Sequence, residues 1–385
     1  MSPCKCALLA RLLVVTLFFM PMLNAQDRTL TPADATALAQ QGKFAEAEQA
    51  WRAILQHHPN DAGAYASLGF VLSSEQKYPE AASAYRKAIV LDPHLPGVQL
   101  NLGLAEFKQG KLEAAIPPLR SAVAADPQNL QATMLLGLSY YGTKHFEEAV
   151  KYLQIAANSD PDNKELHQTL AQSCLSAKNY PCALEEFRKL EELDPQSSAV
   201  HLLMGRALDG EDKTEEAISE YQQAIQLAPQ EPDLHLALGY EYWKGEKYDD
   251  AVKALEAELA IVPDSGEAFA YLGDIALKQG DEEKALRLLQ RAAQVRQDND
   301  LVYLDIASIL VDQKNYPEAL TALQRAVSLS PHQSIVHFRL GHVYQLMGND
   351  AAAEKEFAKV RELKKKEDEE LAQKVKKLPT VSDLH

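Results

Sequence analysis

The sequence predicts an all-α solenoid built of tandem helix-turn-helix repeats. Three series of residues recur every 34 positions along the 385-residue chain, and all three keep one phase. A fixed period of about 20 to 50 residues is typical of repeat architectures, and the stretches between these residues are rich in helix formers. The proline series is Pro59, Pro93, Pro127, Pro161, Pro195, Pro229, Pro263 and Pro331, the glycine series is Gly69, Gly103, Gly137, Gly205, Gly239, Gly273 and Gly341, and the alanine series is Ala47, Ala81, Ala115, Ala149, Ala183, Ala217, Ala251, Ala285, Ala319 and Ala353.

Each series has a physical role in the predicted hairpin. A glycine inside the first helix lets a neighbouring helix approach closely, which offsets its helix cost of about 1 kcal/mol. The alanine follows 12 residues later, on the second helix, and provides a flat contact. Breaks such as 109–111 and 244–246 separate the two helices. The proline ends the second helix, because the residue before a proline is driven out of the α region.

A proline pair, Pro117 and Pro118, interrupts one of the predicted second helices. The surrounding stretch 102–127 is otherwise a regular copy of the repeat. We expect the pair early in the helix, where a missing backbone donor costs least, and we predict a local kink there.

The repeat resembles the tetratricopeptide repeat, in which an aromatic residue, Leu-Gly, Tyr, Ala, a second aromatic, Ala and Pro follow in order. The unit 62–95 has Tyr65, Leu68, Gly69, Ala81, Tyr85, Ala88 and Pro93. The unit 232–265 has Leu238, Gly239, Tyr242, Ala251 and Pro263. The resemblance implies a right-handed superhelix whose first helices line a concave groove.

Ten such units fit the chain without an insertion. The first lacks Leu-Gly but keeps Ala47, Trp51 and Pro59, as expected of a terminal repeat that caps the stack. The remaining residues, 368–385, are charged, and we expect a solvated capping helix with a frayed end; a disordered tail beyond Leu378 is the alternative. The units are 28–61, 62–95, 96–129, 130–163, 164–197, 198–231, 232–265, 266–299, 300–333 and 334–367.

The first 25 residues have the layout of a secretory signal peptide. Lys5 and Arg11 are their only charged residues, an apolar run extends from Leu12 to Leu23, and Ala25 suits cleavage. We therefore expect a periplasmic or secreted protein with no membrane span after cleavage. An uncleaved N-terminal anchor is the alternative.

Charge and motifs exclude several classes of function. The formal net charge of −16 argues against binding to nucleic acid or to an anionic membrane. No metal-protease motif, phosphate-binding loop or nucleophile elbow is present. We expect a protein that is not an enzyme and needs no cofactor; its oligomeric state stays open.

One ring position of the repeat invites a metal-site interpretation. His167, His201 and His235 recur there at the 34-residue period. Other units hold a different flat ring, namely Tyr65, Phe269, Tyr303 and His337. Equivalent helices should lie about 8–10 Å apart, too far for adjacent rings to share zinc at about 2 Å. We expect packing positions and no metal.

Two cysteines remain after the predicted cleavage, Cys174 and Cys182. They flank the hairpin turn of the unit 164–197 and face each other across it. A disulfide is possible in an oxidising compartment, and two buried thiols are the alternative.

By resemblance, the protein is expected to be an exported scaffold or adaptor that binds a protein or peptide segment with apolar anchors. Alternatives are an accessory subunit of an envelope polysaccharide or glycosyl-transfer complex and a carrier of a lipid or small molecule. The convex face is the alternative to the groove. The predicted groove residues are Phe70, Leu100, Leu104, Phe107, Met134, Leu138, Tyr141, Tyr240 and Trp243.

Overall fold

The computed structural model describes residues 30–376, so the predicted signal peptide and the last nine residues lie outside the described part. Between these bounds the chain forms twenty α-helices and no strand. The helices are α1 (Pro32–Gln40), α2 (Phe44–His57), α3 (Ala62–Ser74), α4 (Tyr78–Leu91), α5 (Val98–Lys108), α6 (Leu112–Ala125), α7 (Leu130–Gly142), α8 (Phe146–Ser159), α9 (Lys164–Ser176), α10 (Tyr180–Leu193), α11 (Ser198–Gly210), α12 (Thr214–Leu227), α13 (Leu234–Lys244), α14 (Tyr248–Ile261), α15 (Gly266–Lys278), α16 (Glu282–Val295), α17 (Asp300–Asp312), α18 (Tyr316–Leu329), α19 (Ser334–Leu346) and α20 (Asp350–Lys376).

The helices follow one another as tandem pairs, which confirms the predicted all-α fold of helix-turn-helix repeats. Each second helix from α2 to α18 has 14 residues and ends two residues before the place of the proline series. The helix α16 ends at Val295 in the same way, although Gln297 stands where a proline is expected. Packing and the turn therefore end the helix at this place, and a proline makes that helix end more stable.

Six glycines of the series, all except Gly137, lie at positions where the structure shows the two helices of a pair in contact. A Cβ at Gly69 would lie 2.6 Å from the ring of Tyr85, and one at Gly273 would lie 2.7 Å from Leu289. The alanines of the series are buried in every repeat, as Ala149 shows with no exposed area. The close helix contact inferred from the sequence is thus present.

The described residues fall into two compact units, one ending at Ser139 and the other beginning at Tyr140. The first unit has a core around Trp51, Leu72 and Tyr85. The second has cores around Leu255 and around Leu310. The predicted boundary at residue 367 falls inside the single long helix α20.

One residue of each hairpin turn adopts a left-handed backbone conformation. In the turn 109–111 this residue is Gly110, with φ of 72°. In the similar turn 244–246 it is Glu246, with φ of 56°, whereas Gly245 has φ of −82°. The full set recurs at the repeat period and consists of Gly42, Gln76, Gly110, Lys144, Lys178, Asp212, Glu246, Gly280, Lys314 and Gly348.

The helix α6 continues through both of its prolines. Pro117 and Pro118 are its sixth and seventh residues, beyond the first four whose N–H groups have no partner in the helix. The pair therefore removes donors that the helix would use, so the expectation that the missing donors cost little was wrong. The kink stays a prediction.

Candidate functional site

The predicted groove residues lie on first helices of the repeats. They occupy α3, α5, α7 and α13 and form part of what we call the first-helix face, the surface made by first-helix side chains. Phe70 is the most exposed, at 54%, and the other eight are half-buried. This face therefore offers apolar area to solvent at several points.

On α3 and α5 the structure brings Phe70 and Leu104 together. Both line an open cavity of about 220 Å³, which Asn101 and Lys108 border. Leu100 lies instead at a separate cavity beside the loop 93–97, of about 600 Å³. Phe107 lies on α5, and Met134 and Leu138 lie on α7, all partly buried.

Tyr141 lies at the end of α7 and is held by polar and ring contacts. Its hydroxyl donates a hydrogen bond to Gln172 Oε1 at 2.7 Å, and its ring lies 6.1 Å from that of Phe146. Gln172 belongs to the first helix of the next pair. Tyr141 therefore links two first helices and leaves only part of its ring open.

Three rings on α13 and α15 form an aromatic cluster, Tyr240, Trp243 and Tyr271. The ring centroids of Trp243 and Tyr271 lie 5.1 Å apart, and those of Tyr240 lie 5.9 Å from Trp243 and 5.7 Å from Tyr271. The indole N–H of Trp243 donates to Asp274 Oδ2 at 2.5 Å, which fixes the ring plane. All three rings are half-buried, so each keeps some exposed surface.

Carboxylates surround the aromatic cluster. Lys244 Nζ binds Asp209 Oδ1 at 2.6 Å and lies 3.4 Å from Asp212 Oδ1. Glu241 has no exposed area, and neither of its carboxyl oxygens accepts a hydrogen bond from a cationic side chain. Burial, then the negative charge of Asp209 and a hydrogen bond between the two carboxyls, raise the pKa of Glu241 to about 7, so the bond requires a proton on one of them.

A second acidic pair adjoins the cluster on α15 and α17. Burial and the neighbouring charge of Asp274 raise the pKa of Asp305 to about 6, against the opposing effect of Arg339 and Lys278. Lys278 Nζ lies 3.9 Å from Asp274 Oδ2. The sequence analysis missed Tyr271, Glu241 and Asp305. Tyr271 and Asp305 both lie two residues before the place of the glycine series, a place that none of the predicted groove residues occupies.

The ring position of the repeat holds three buried histidines that each pair with a glutamate, and of these glutamates only Glu186 is itself fully buried. His167 Nδ1 lies 2.5 Å from Glu186 Oε2, and its Nε2 donates to the carbonyl of Pro161 at 3.0 Å. His201 pairs with Glu220 at 2.8 Å, and His337 with Glu356 at 2.6 Å.

These glutamates follow their histidines by 19 residues, a spacing that the sequence analysis overlooked. Nineteen residues after His235 the chain has Ala254 in place of a glutamate. His235 Nε2 donates to the carbonyl of Pro229 at 3.3 Å. Within residues 30–376 no group of three or more histidine, cysteine, aspartate or glutamate side chains is placed to hold a metal.

Cys174 and Cys182 are joined by a disulfide in the structure. Their Cα atoms lie 5.7 Å apart, within the usual range for a bridge. Cys174 lies near the end of α9 and Cys182 near the start of α10, so the bond crosses the hairpin turn. The oxidation state of the protein in its compartment stays a prediction.

Family comparisons agree with the helix pairs. A sequence model described as the cytochrome c-type biogenesis protein H TPR domain matches residues 24–163. Tetratricopeptide-repeat models match residues 143–207, 211–245, 236–300 and 307–348. Tetratricopeptide-repeat models therefore match the chain from residue 24 to residue 348, with short gaps at 208–210 and 301–306.

Several solved structures are similar at low identity. The Cut9–Hcn1 hetero-tetramer of the APC/C is 14% identical, with 86% of each chain covered and a TM-score of 0.47. A tetratricopeptide-repeat protein from Parabacteroides merdae is 17% identical, with 65% of this chain and 98% of that chain covered and a TM-score of 0.40. YrrB, described as a TPR protein with an unusual peptide-binding site, is 23% identical, with 51% and 100% covered and a TM-score of 0.41. A search of curated proteins found no match.

Proposed function

We propose that the protein is an exported, non-enzymatic adaptor that binds a segment of another protein on its first-helix face. The observation that carries this proposal is that first helices of each compact unit keep apolar or aromatic side chains partly exposed, such as Phe70 in the first unit and the aromatic cluster in the second. Exposed aromatic and apolar side chains are the groups that anchor partner segments in helical grooves.

Export is part of the proposal and rests on the first 25 residues of the sequence. The charged, apolar and small-residue order of residues 1–25 is that of a signal peptide. In the described residues, no helix combines the length and apolarity that a membrane crossing needs. We expect the protein purified from its host to begin near Gln26, and a product that begins at Met1 would contradict export.

Site-specific photocrosslinking in the host tests the binding face. A photoreactive residue replaces Phe70, Leu104 or Trp243 on first helices, and Arg120, Lys253 or Arg287 on second helices as matched controls. We expect one partner protein to be captured from the first-helix positions and not from the exposed controls. Capture only from the second-helix positions would place the partner on the opposite face and refute the assignment.

A role in c-type cytochrome biogenesis is a second candidate function. It is favoured by the match of residues 24–163 to a domain described as part of a biogenesis protein for these cytochromes. Deletion of the gene should then lower the content of covalently bound haem in envelope proteins, measured by haem staining. Unchanged staining would remove this candidate and leave the adaptor proposal in place.

A further inference from the structure

The aromatic cluster combines two properties that recognise one kind of ligand. Its three rings lie within 5.9 Å of one another and keep exposed surface. Asp274 is fixed at the edge of the cluster by the indole of Trp243. Aromatic faces attract cations through their quadrupole, and a carboxylate beside them adds a hydrogen-bond acceptor.

Negative charge around the cluster is incompletely balanced. Lys244 lies between Asp209 and Asp212, and Lys278 reaches Asp274 only at 3.9 Å. Arg339 acts on Asp305 without forming an ion pair with it, so three cations face five carboxyl groups. Glu241 is fully buried, neither of its carboxyl oxygens accepts a hydrogen bond from a cationic side chain, and its carboxyl lies beside that of Asp209. A buried carboxyl beside a carboxylate holds a proton where no cation is present, so a cation bound here would take the place of that proton.

We propose that the aromatic cluster and the carboxylates Asp209, Asp274 and Asp305 bind an arginine side chain of the partner segment. This inference rests on the proposed function for the identity of the ligand as a peptide. Arginine fits better than lysine because its planar guanidinium stacks on rings and can bridge separate carboxylates. The partner segment would then carry a charged anchor in addition to the apolar anchors predicted from the sequence.

A bound guanidinium also changes the proton content of the site. It favours the ionised form of nearby carboxyls and so lowers the pKa of Glu241 from about 7. Binding near neutral pH therefore releases protons to the buffer. This release distinguishes a cation seated at the carboxylates from an arginine that touches only the outer surface.

Calorimetry on the full mature chain tests the inference with three synthetic peptides. Each is a short acetylated peptide in which leucines flank one central residue, which is arginine, lysine or the neutral isostere citrulline. We expect the arginine peptide to bind about tenfold more tightly than the citrulline peptide, as expected for a partly desolvated cation–π contact with an ion pair. Its heat should depend on the ionisation enthalpy of the buffer, and Glu241→Gln should reduce that dependence.

Protein variants locate the site. Asp274→Asn and Trp243→Ala should each weaken the arginine peptide by about tenfold and leave the citrulline peptide unchanged. If Trp243→Ala loses helical content, Trp243→Phe, which retains a ring, takes its place in this test. Asp250→Asn on α14 is the matched control, because it removes an exposed carboxylate from the second helix of the same pair and should change nothing.

Three outcomes would overturn the inference: equal binding of the arginine and citrulline peptides, binding of neither, or an equal loss with Asp250→Asn. Equal binding together with crosslinks from the first-helix face would leave the proposed function standing. Conversely, arginine-dependent peptide binding without any crosslink from that face would support the inference and refute the proposed function.

Discussion

In each hairpin turn one residue has a left-handed backbone, and the type of that residue affects the free energy of unfolding. Gly110 and Gly245 occur in similar turns, but only Gly110 has positive φ, at 72°. A Cβ at Gly110 would meet nothing within 4 Å, so Gly110→Ala adds backbone strain alone. We expect a loss of about 1–2 kcal/mol in the free energy of unfolding, measured with urea.

Gly245→Ala is the control for this turn. Its φ of −82° suits alanine. We therefore expect Gly245→Ala to change the free energy of unfolding by less than about half of the loss at Gly110→Ala. Similar losses for the two variants would show that the left-handed position does not determine the cost.

The buried carboxyl of Glu241 should make stability depend on pH. Its pKa is raised to about 7, mainly by burial, whereas an unfolded glutamate has a pKa of about 4.3. Between these values the folded state binds more protons than the unfolded state, so stability is greatest at low pH and falls as pH rises toward 7. At about 1.4 kcal/mol per pKa unit, we expect native protein to lose about 2 kcal/mol more than Glu241→Gln between pH 5 and pH 8.

Denaturant titrations of both proteins at several pH values provide the measurement. Asp305, whose pKa is raised to about 6, acts in the same direction but is present in both proteins, so the difference isolates Glu241. Glu256→Gln, an exposed change on α14, should follow the native protein. A pH dependence of Glu241→Gln identical to the native one would contradict the prediction.

At the scale of one helix, α6 contains a proline that destabilises it and that a substitution can remove. Pro117 is exposed and lies in the helix interior, where it cannot donate to the carbonyl of Glu113 and its ring crowds that carbonyl. Pro117→Ala should raise the free energy of unfolding by about 1–2 kcal/mol, after the greater entropy of the unfolded chain is deducted. Urea unfolding measures the change.

Pro79 provides the comparison for Pro117. It lies in the first turn of α4, where no helix donor is lost, so Pro79→Ala should be neutral or slightly destabilising. A gain at Pro79 as large as at Pro117 would mean that both prolines act through the unfolded chain alone.

The α9–α10 hairpin carries the disulfide prediction. Thiol counting on unfolded, unreduced protein from the host should find no free thiol at Cys174 or Cys182. Closure of so short a loop stabilises by about 2–3 kcal/mol in the chain-entropy description, so reduction should lower the free energy of unfolding by that order. Two free thiols would favour the alternative of buried, reduced cysteines.

Across the whole molecule, the sequence predicted the features that recur in every repeat and missed those that occur at a single position. The glycine and alanine series predicted the helix pairs because close packing requires small residues at fixed places. Glu241 occupies a buried position where other units have residues such as Ala105 and Ile275, so no periodic signal indicated a charge there. The contacts of Tyr271 and Asp274 with Trp243 join neighbouring units, and a pattern read within one unit does not show them.

A final prediction concerns how far along the repeats a destabilising substitution changes hydrogen exchange. Ala149 is fully buried in α8, so Ala149→Leu overpacks the helix contact and should cost about 1–3 kcal/mol. Because each repeat contacts only its neighbours, hydrogen exchange should quicken in α8 and α9 and stay unchanged in α16 to α19. Lys151→Leu, an exposed change in the same helix, is the control and should leave exchange unaltered. Uniform loss of protection across all these helices would instead mean that they unfold as one cooperative core, in which case stability is not the sum of local repeat contacts.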